Sequence, residues 1–570
     1  TGKTHTLVSR ILHLLETRRI KPSYITAVTF TNQAASEMRE RIRKHSGRNA
    51  AVRRLTIGTF HSIAWKLIKE SGSDSSLAGE TQTRDLADKI IKTFCLDMTA
   101  SRFLTEISNY KTSSFHSVGC TEKDLPQPEL KEAFLAYQNA LKEWKLLDFD
   151  DILIEALRLI QDKMADTARF SYLLADEFQD ISPLEYALLK AWNKNGKELF
   201  VIGDPNQAIY GFRGSDSGCF NRLLKEFPET QQIILEENYR STPQILALAS
   251  EIISKNPDGY RHLNPNRPDG PSVRLARAES AAAEAIFIAK EINRLAGGIG
   301  MLDAQEMFPE TDGAVRSFDD IAVLYRTHRQ AELLEGCLKK EGIPYIVSGR
   351  DDYLLDPAVR GTISFFESLV QPENRLAGQT ALKLLWGLEE GDLTDSIYVN
   401  MAEKYMPSLK KKKPAKVLEE WMSDLQLNSN KAVKKLCQTA IFYQTTADFI
   451  NALKFGVESD LKRCKNKQYK SGAVTLMTLH GSKGLEFPAV FIFGVRKGLI
   501  PFESGSTASS EEEERRLFYV GITRARENLI LTTSKEESPF LEHLPKTLMQ
   551  RERAWQGKKE GIYKQLSLFE

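Results

Sequence analysis

Two short segments of this chain hold the residue types that phosphate chemistry needs. Thr1-Gly2-Lys3-Thr4 supplies a glycine for close backbone approach, an ammonium for the outer phosphates of a nucleotide, and a hydroxyl for Mg2+. Leu173-Leu174-Ala175-Asp176-Glu177 is an apolar run ending in an acidic pair. There Asp176 can hold the metal and Glu177 can polarise an attacking water. A Gly-Lys-Thr triplet alone arises by chance at helix starts; followed by this acidic pair, it predicts an ATPase using ATP and Mg2+. The triplet is only the closing half of a phosphate-binding loop and carries no initiator Met, so the chain is expected to begin inside that loop.

Positioning such groups requires strands that end where the chemistry starts. Ile25–Phe30, Tyr172–Asp176 and Leu199–Asp204 are β-branched or aliphatic runs that end in polar or glycine-rich turns. Each precedes a helical stretch, the pattern of a parallel sheet covered on both faces. Ile321–Tyr325, Ala473–Met477 and Ala489–Phe493 repeat it, so two α/β domains are expected. The mostly helical intervals 63–165 and 350–470 are too long for loops and read as inserted domains.

A length of 570 residues implies roughly four domains. Hydrophobic residues at 41% and charged residues at 27% are globular values, and no apolar run reaches the roughly 18 residues of a bilayer span. Cys95, Cys120, Cys219, Cys337, Cys437 and Cys464 are scattered singly, which argues against structural zinc or an iron–sulfur cluster and for reduced thiols in the cytoplasm. The net charge of +2 hides a basic stretch from 404 to 470, with 15 Lys or Arg against 6 Asp or Glu, including Lys410–Lys413. That stretch is either a solvated surface or a backbone contact for nucleic acid.

At Asp176-Glu177-Phe178-Gln179-Asp180 the sequence resembles the UvrD/Rep helicases of superfamily 1, and further matches follow in that family's order. They are Ala27–Asn32 with Ala34-Ala35 and Glu37-Met38 (motif Ia), Gly58–Ser62 (Ib), Gly203–Gly214 (III), Glu237–Ser241 (IV), Thr478–Phe487 (V) and Tyr519–Arg526 (VI). The resemblance implies an α/β protein with two RecA-like P-loop NTPase motor domains, each carrying a mostly helical inserted domain. The first motor would comprise 1–62 and 166–233 around the 63–165 insertion. The second would comprise 234–349 and 471–545 around 350–470, with 546–570 a flexible tail.

The same resemblance implies roles. Thr1, Gly2, Lys3 and Thr4 would bind phosphates, with Thr4 and Asp176 on the metal and Glu177 aligning water. Gln207 would sense the γ-phosphate, Tyr239 stack on adenine, and Glu486 meet the ribose. Arg240 and Arg524 would reach across as arginine fingers. Phe30, Asn32, His61, Tyr210, Phe212, Arg213 and His480 would line a single-strand DNA track, where aromatic faces accept any base. Core packing is the ordinary alternative for Phe30 and Tyr210, and a structural histidine for His480.

The activity so implied is ATP-dependent 3′-to-5′ helicase action on single-stranded DNA and single-strand/duplex junctions in repair or replication. Two features depart from the family. The second insertion holds no convincing Arg-Gly loop, and the usual strand-separating hairpin is shortened or absent, because Leu531–Leu541 runs straight on. A translocase that displaces proteins and unwinds poorly is therefore the alternative within the fold. A scaffold with a dead ATPase is the rival from another class, opposed by intact catalytic positions. Finally, Gln565-Leu566-Ser567-Leu568-Phe569 resembles the pentapeptide that docks on the bacterial sliding clamp, with Gln565 orienting and Leu566, Leu568 and Phe569 anchoring. A latch onto the second motor is the competing reading.

Overall fold

Apolar runs at Ile25–Thr29 and Tyr172–Ala175 are buried along their whole length, as strands must be when helices cover both faces of a sheet. The computed structural model describes residues 2–46, 52–116, 128–211, 214–215, 218–257, 259, 262–297, 315–348, 352–388, 393–441, 443–455, 472–503, 510–542 and 544–554. The protein is α/β with parallel sheets. In the first sheet the order is Thr56–Thr59, Ile25–Thr29, Tyr172–Ala175, Glu198–Val201, all parallel. Its strands end on one side, so Phe30, Asp176 and Gly203 emerge close together at their C-terminal ends.

The second sheet has seven parallel strands in the order Tyr345–Val347, Val474–Thr478, Ile321–Tyr325, Phe487–Ile492, Ala525–Ser534, Arg274–Ala278, Gln550–Arg553. The last of these corrects the expected flexible tail, since the sheet continues to Arg553. The sequence disguises it because an edge strand faces solvent on one side and tolerates charge. Arg551 pairs with Glu537, and Glu552 with Arg274.

The helical intervals also divide differently from the expected boundaries. The Phe60–Glu70 and Phe149–Gln161 helices share one core with Val28, Leu173 and Ala175 of the first sheet, so both belong to the motor. Thr59 and Asp148 cap them reciprocally with Ser62 and Asp151, which fixes where each helix starts. The insertion proper keeps its own core, running from Ala78 through Phe103 and Tyr137 to Leu146. In the second insertion a separate cluster surrounds Trp421, which stacks on Phe365 at 4.4 Å and donates to Thr362.

The two motors interlock. Ile209, on the loop leaving the first sheet after Val201, is fully buried in the second motor's core beside Ile245 and Leu517. No helix among the described residues is long and apolar enough to cross a membrane.

Candidate active site and nucleic-acid track

Lys3 opens the helix Lys3–Glu16 behind Gly2, whose φ of +100° is a left-handed conformation natural to glycine. A helix N-terminus presents unpaired N–H groups and favours anions. The Lys3 ammonium lies 2.8 Å from Glu177 Oε2. Asp176 continues its strand by donating its N–H to Val28 O, and Glu177 then turns with φ +50°, a left-handed conformation costly for a glutamate. Burial, reinforced by Glu177, raises the pKa of Asp176. Burial also opposes charge on Glu177, but Lys3, Lys483 and a hydrogen bond from Gln179 outweigh it and hold that carboxyl well below its usual range.

Gln179 is fully buried and links three groups. Its Nε2 donates to Glu177 at 2.5 Å and to Asp180 at 3.2 Å, while its Oε1 accepts the N–H of Asp204 at 2.8 Å. Gln207 Nε2 in turn donates to Asp204 Oδ2 at 2.8 Å. Lys3, Asp176, Glu177, Asp204 and Gln207 thus form one polar cluster on the first motor.

Facing it, the second motor presents two guanidinium groups. Arg240 donates to Glu486 at 2.7 Å and to Thr523 O at 3.3 Å. Arg524 is 1% exposed and donates to Val520 O, Leu485 O and the Thr523 hydroxyl. Burial, then repulsion from Arg240, lowers its pKa to about 9, while the field of Glu177 acts in the opposite direction across the interface. Tyr239, next to Arg240 in the chain, is 63% exposed.

Hard oxygen donors suit Mg2+, which commonly takes one or two protein oxygens and completes its shell with phosphate and water. Asp176 and Thr4 fit that pattern. Among the described residues no group of three or more His, Cys, Asp or Glu forms a self-sufficient metal cage. Cys95, Cys219, Cys337 and Cys437 are free thiols.

The UvrD/REP helicase N-terminal domain matches residues 1–228, and the UvrD-like helicase C-terminal domain matches 233–386 and 392–536. The chain belongs to the UvrD/Rep helicase family. Among curated relatives, it is 28% identical to the ATP-dependent DNA helicase PcrA of Leuconostoc citreum, over 94% of this chain and 79% of that protein. It is 27% identical to PcrA of Bacillus subtilis, over 96% and 83%, and 27% identical to the ATP-dependent DNA helicase Rep of Buchnera aphidicola, over 98% and 96%.

At the UvrD/Rep positions expected to meet DNA, Phe30 and Tyr210 stack on each other, with ring centroids 5.2 Å apart and planes 13° from parallel. Asn32 opens the next helix, Asn32–Ser46. His61 packs edge-on against Phe149 at 5.3 Å, and burial lowers its pKa to about 4, so the ring is neutral near pH 7. His480 opens the 3-10 turn His480–Ser482 after the strand Val474–Thr478 and is half-buried. Thr1, Phe212, Arg213 and the segment Gln565, Leu566, Leu568, Phe569 lie outside the described residues.

Sequence reading assigned no role to Gln179, Asp180, Asp204 or Lys483, although all lie inside the UvrD/Rep motifs. The available signal was an amide and charges within or near the motifs that hold the acidic pair Asp176-Glu177. Their partners, up to 303 residues away, are visible only in three dimensions.

Proposed function

We propose that this chain is an ATP-driven motor that moves 3′ to 5′ along single-stranded DNA, engages single-strand/duplex junctions and serves DNA repair or replication. One observation carries the proposal: Lys3, Asp176 and Glu177 on one motor face Arg240 and Arg524 on the other, next to the exposed Tyr239. The names of the PcrA and Rep relatives support the ATP and DNA parts of this reading. The polarity rests on family resemblance.

In this mechanism Lys3 and the N–H groups of its helix hold the phosphates, and Tyr239 offers a face to the adenine. Bound Mg2+ would neutralise developing phosphate charge, with Thr4 and Asp176 as its protein oxygens. Glu177, kept ionised and released from Lys3 by the arriving phosphates, orients the attacking water and accepts its hydrogen bond. Arg240 and Arg524 donate to the departing charge from across the interface, so hydrolysis requires the motors to be closed. Gln207 reports that charge to the loop that carries Tyr210. Phe30 and Tyr210 exchange their mutual stacking for stacking on bases, which is independent of sequence.

A second reading, a translocase with weak strand separation, is favoured by the segment after Ser534. Between Ser534 and Glu542 the described residues make a single bridge, Arg496 with Glu537, and a short turn that buries Phe540 and Leu541, with no projecting hairpin. The chain would act in the cytoplasm, and its last residues would dock on the sliding clamp. ATP turnover by the full-length protein, with and without a single-stranded oligonucleotide, tests the main reading. Turnover that requires or rises with DNA is expected; no turnover under either condition would refute it.

A further inference from the structure

A buried ion pair between the motors lies beside both the polar cluster around Glu177 and the expected DNA track. Lys483, from the second motor, places its ammonium 2.6 and 2.5 Å from the two carboxylate oxygens of Asp180, with side chains 8% and 0% exposed. It also donates to the main-chain carbonyl of Gln207 at 2.7 Å. An ammonium has three N–H donors, enough to serve these contacts. The same nitrogen lies 4.7 Å from the centre of the Tyr210 ring, within cation–π range.

Each of these partners belongs to a different task. Asp180 shares the amide of Gln179 with Glu177, so three hydrogen bonds in series lead from Lys483 to the carboxylate expected to orient water. A side chain at Gly203 would put its Cβ 2.4 Å from Gln179 Oε1, which shows how closely the backbone wraps that amide. Gln207 carries the side chain expected to sense the γ-phosphate, and Tyr210 stacks on Phe30 in the track. Tyr210 thus touches both Phe30, at the expected track, and Lys483, so a change in what its ring stacks on can be felt at the ammonium. Ile209, between these contacts, is wedged in the second motor's core and ties the loop to that domain.

Stability alone does not explain such a pair. Two buried charges lose hydration, and an apolar pair of similar volume is often equally stable. What a fixed ion pair supplies is register. We propose that Lys483 is a positioning residue that couples the single-strand track to the phosphate site, by holding Asp180 and the Gln207 carbonyl in a geometry that depends on where Tyr210 lies. This rests on the reading of the chain as an ATP-driven single-strand motor.

The test uses the full-length protein and the Lys483→Met/Asp180→Asn double variant, which removes both charges and leaves neither buried alone. Affinity for oligo-dT is measured by fluorescence anisotropy with and without a non-hydrolysable ATP analogue. The ratio of the two affinities is the coupling factor, and linkage makes it reciprocal. ATP turnover is measured with and without the same oligonucleotide. The expected result is a coupling factor near one in the double variant, with DNA stimulation reduced at least about tenfold, while each ligand still binds on its own. Parental coupling and stimulation in a folded double variant would overturn the proposal, as would loss of binding of either ligand alone. If the double variant fails to fold, Lys483→Arg decides: its planar fork cannot reproduce the three donations, so parental coupling there refutes the proposal. A parent protein without ATP turnover would instead sink the functional reading itself.

Discussion

The ammonium of Lys3 and the carboxylate of Glu177 are bound to each other at 2.8 Å, so the proposed phosphate anchor and the proposed water-orienting base neutralise one another. In the proposed mechanism arriving phosphates compete for Lys3 and free Glu177, which would couple occupancy of the site to its activation.

Lys3→Ala in the full-length protein should therefore lower ATP turnover by at least about 100-fold, the scale of losing a preorganised charge at developing phosphate charge. Single-strand affinity, measured by anisotropy, should remain, because the stacked pair Phe30 and Tyr210 does not touch Lys3. Turnover close to parental would overturn the ATPase assignment.

Arg524→Ala should reduce kcat by roughly 10³-fold with a smaller effect on KM, as for a group acting on the transition state. Its three donations to Val520, Leu485 and Thr523 give it a structural share as well. Arg524→Lys separates the two: the melting temperature should partly recover while kcat stays low. Recovery of kcat with melting temperature would make Arg524 a structural residue.

His61 should make the fold sensitive to acid. Its folded pKa of about 4 lies below the ordinary 6.5, so the unfolded chain binds a proton that the folded chain refuses. Stability from this group is full above pH 6.5 and lost as pH falls toward 4. Melting at pH 7 and pH 5 should differ less for His61→Gln than for the parent. An equal difference in both proteins would show that the ring is not held neutral.

On forked substrates, we expect strand separation to be slow relative to movement along a bare strand, since no described hairpin follows Ser534 to split base pairs. Stopped-flow rates on the two substrates compare them directly. Equal rates would assign separation to another element, with the basic second insertion first in line.

Deleting residues 565 to 570 should abolish binding to the clamp of the same organism while leaving DNA-stimulated turnover within about twofold. Each apolar anchor gains about 1.5 to 3 kcal/mol on full burial, so loss of three would be decisive. Retained clamp binding, read by calorimetry, would move the contact elsewhere.

The central strands were legible because burial on both faces leaves apolar runs such as Ile25–Thr29, Ile321–Tyr325 and Phe487–Ile492. Gln550–Arg553 was not legible, because an edge strand of four polar residues looks like solvated chain. The boundaries of the first insertion were hidden as well. A helix that packs on a motor and one that packs within an insertion share the same periodicity. The acidic pair Asp176-Glu177 and the cationic residues Arg240 and Arg524 could be read from local pattern. The Lys483–Asp180 contact could not, since no periodicity relates residues so far apart. Arg524 was recognised by motif, but its capture by main-chain carbonyls depends on where Leu485 and Val520 pass.

The seventh strand of the second sheet has a consequence for how the protein is made. Arg274–Ala278 is synthesised long before its outer neighbour Gln550–Arg553, and until that neighbour emerges its ladder of N–H and C=O groups stays unpaired on one side. The second motor therefore cannot finish folding during most of translation, and ribosomes that terminate early release chains with an open strand edge. Such chains are prone to edge-to-edge association. The charged residues of the closing strand, with Arg551 and Glu552 paired to Glu537 and Arg274, then present an edge whose charge disfavours pairing with other copies.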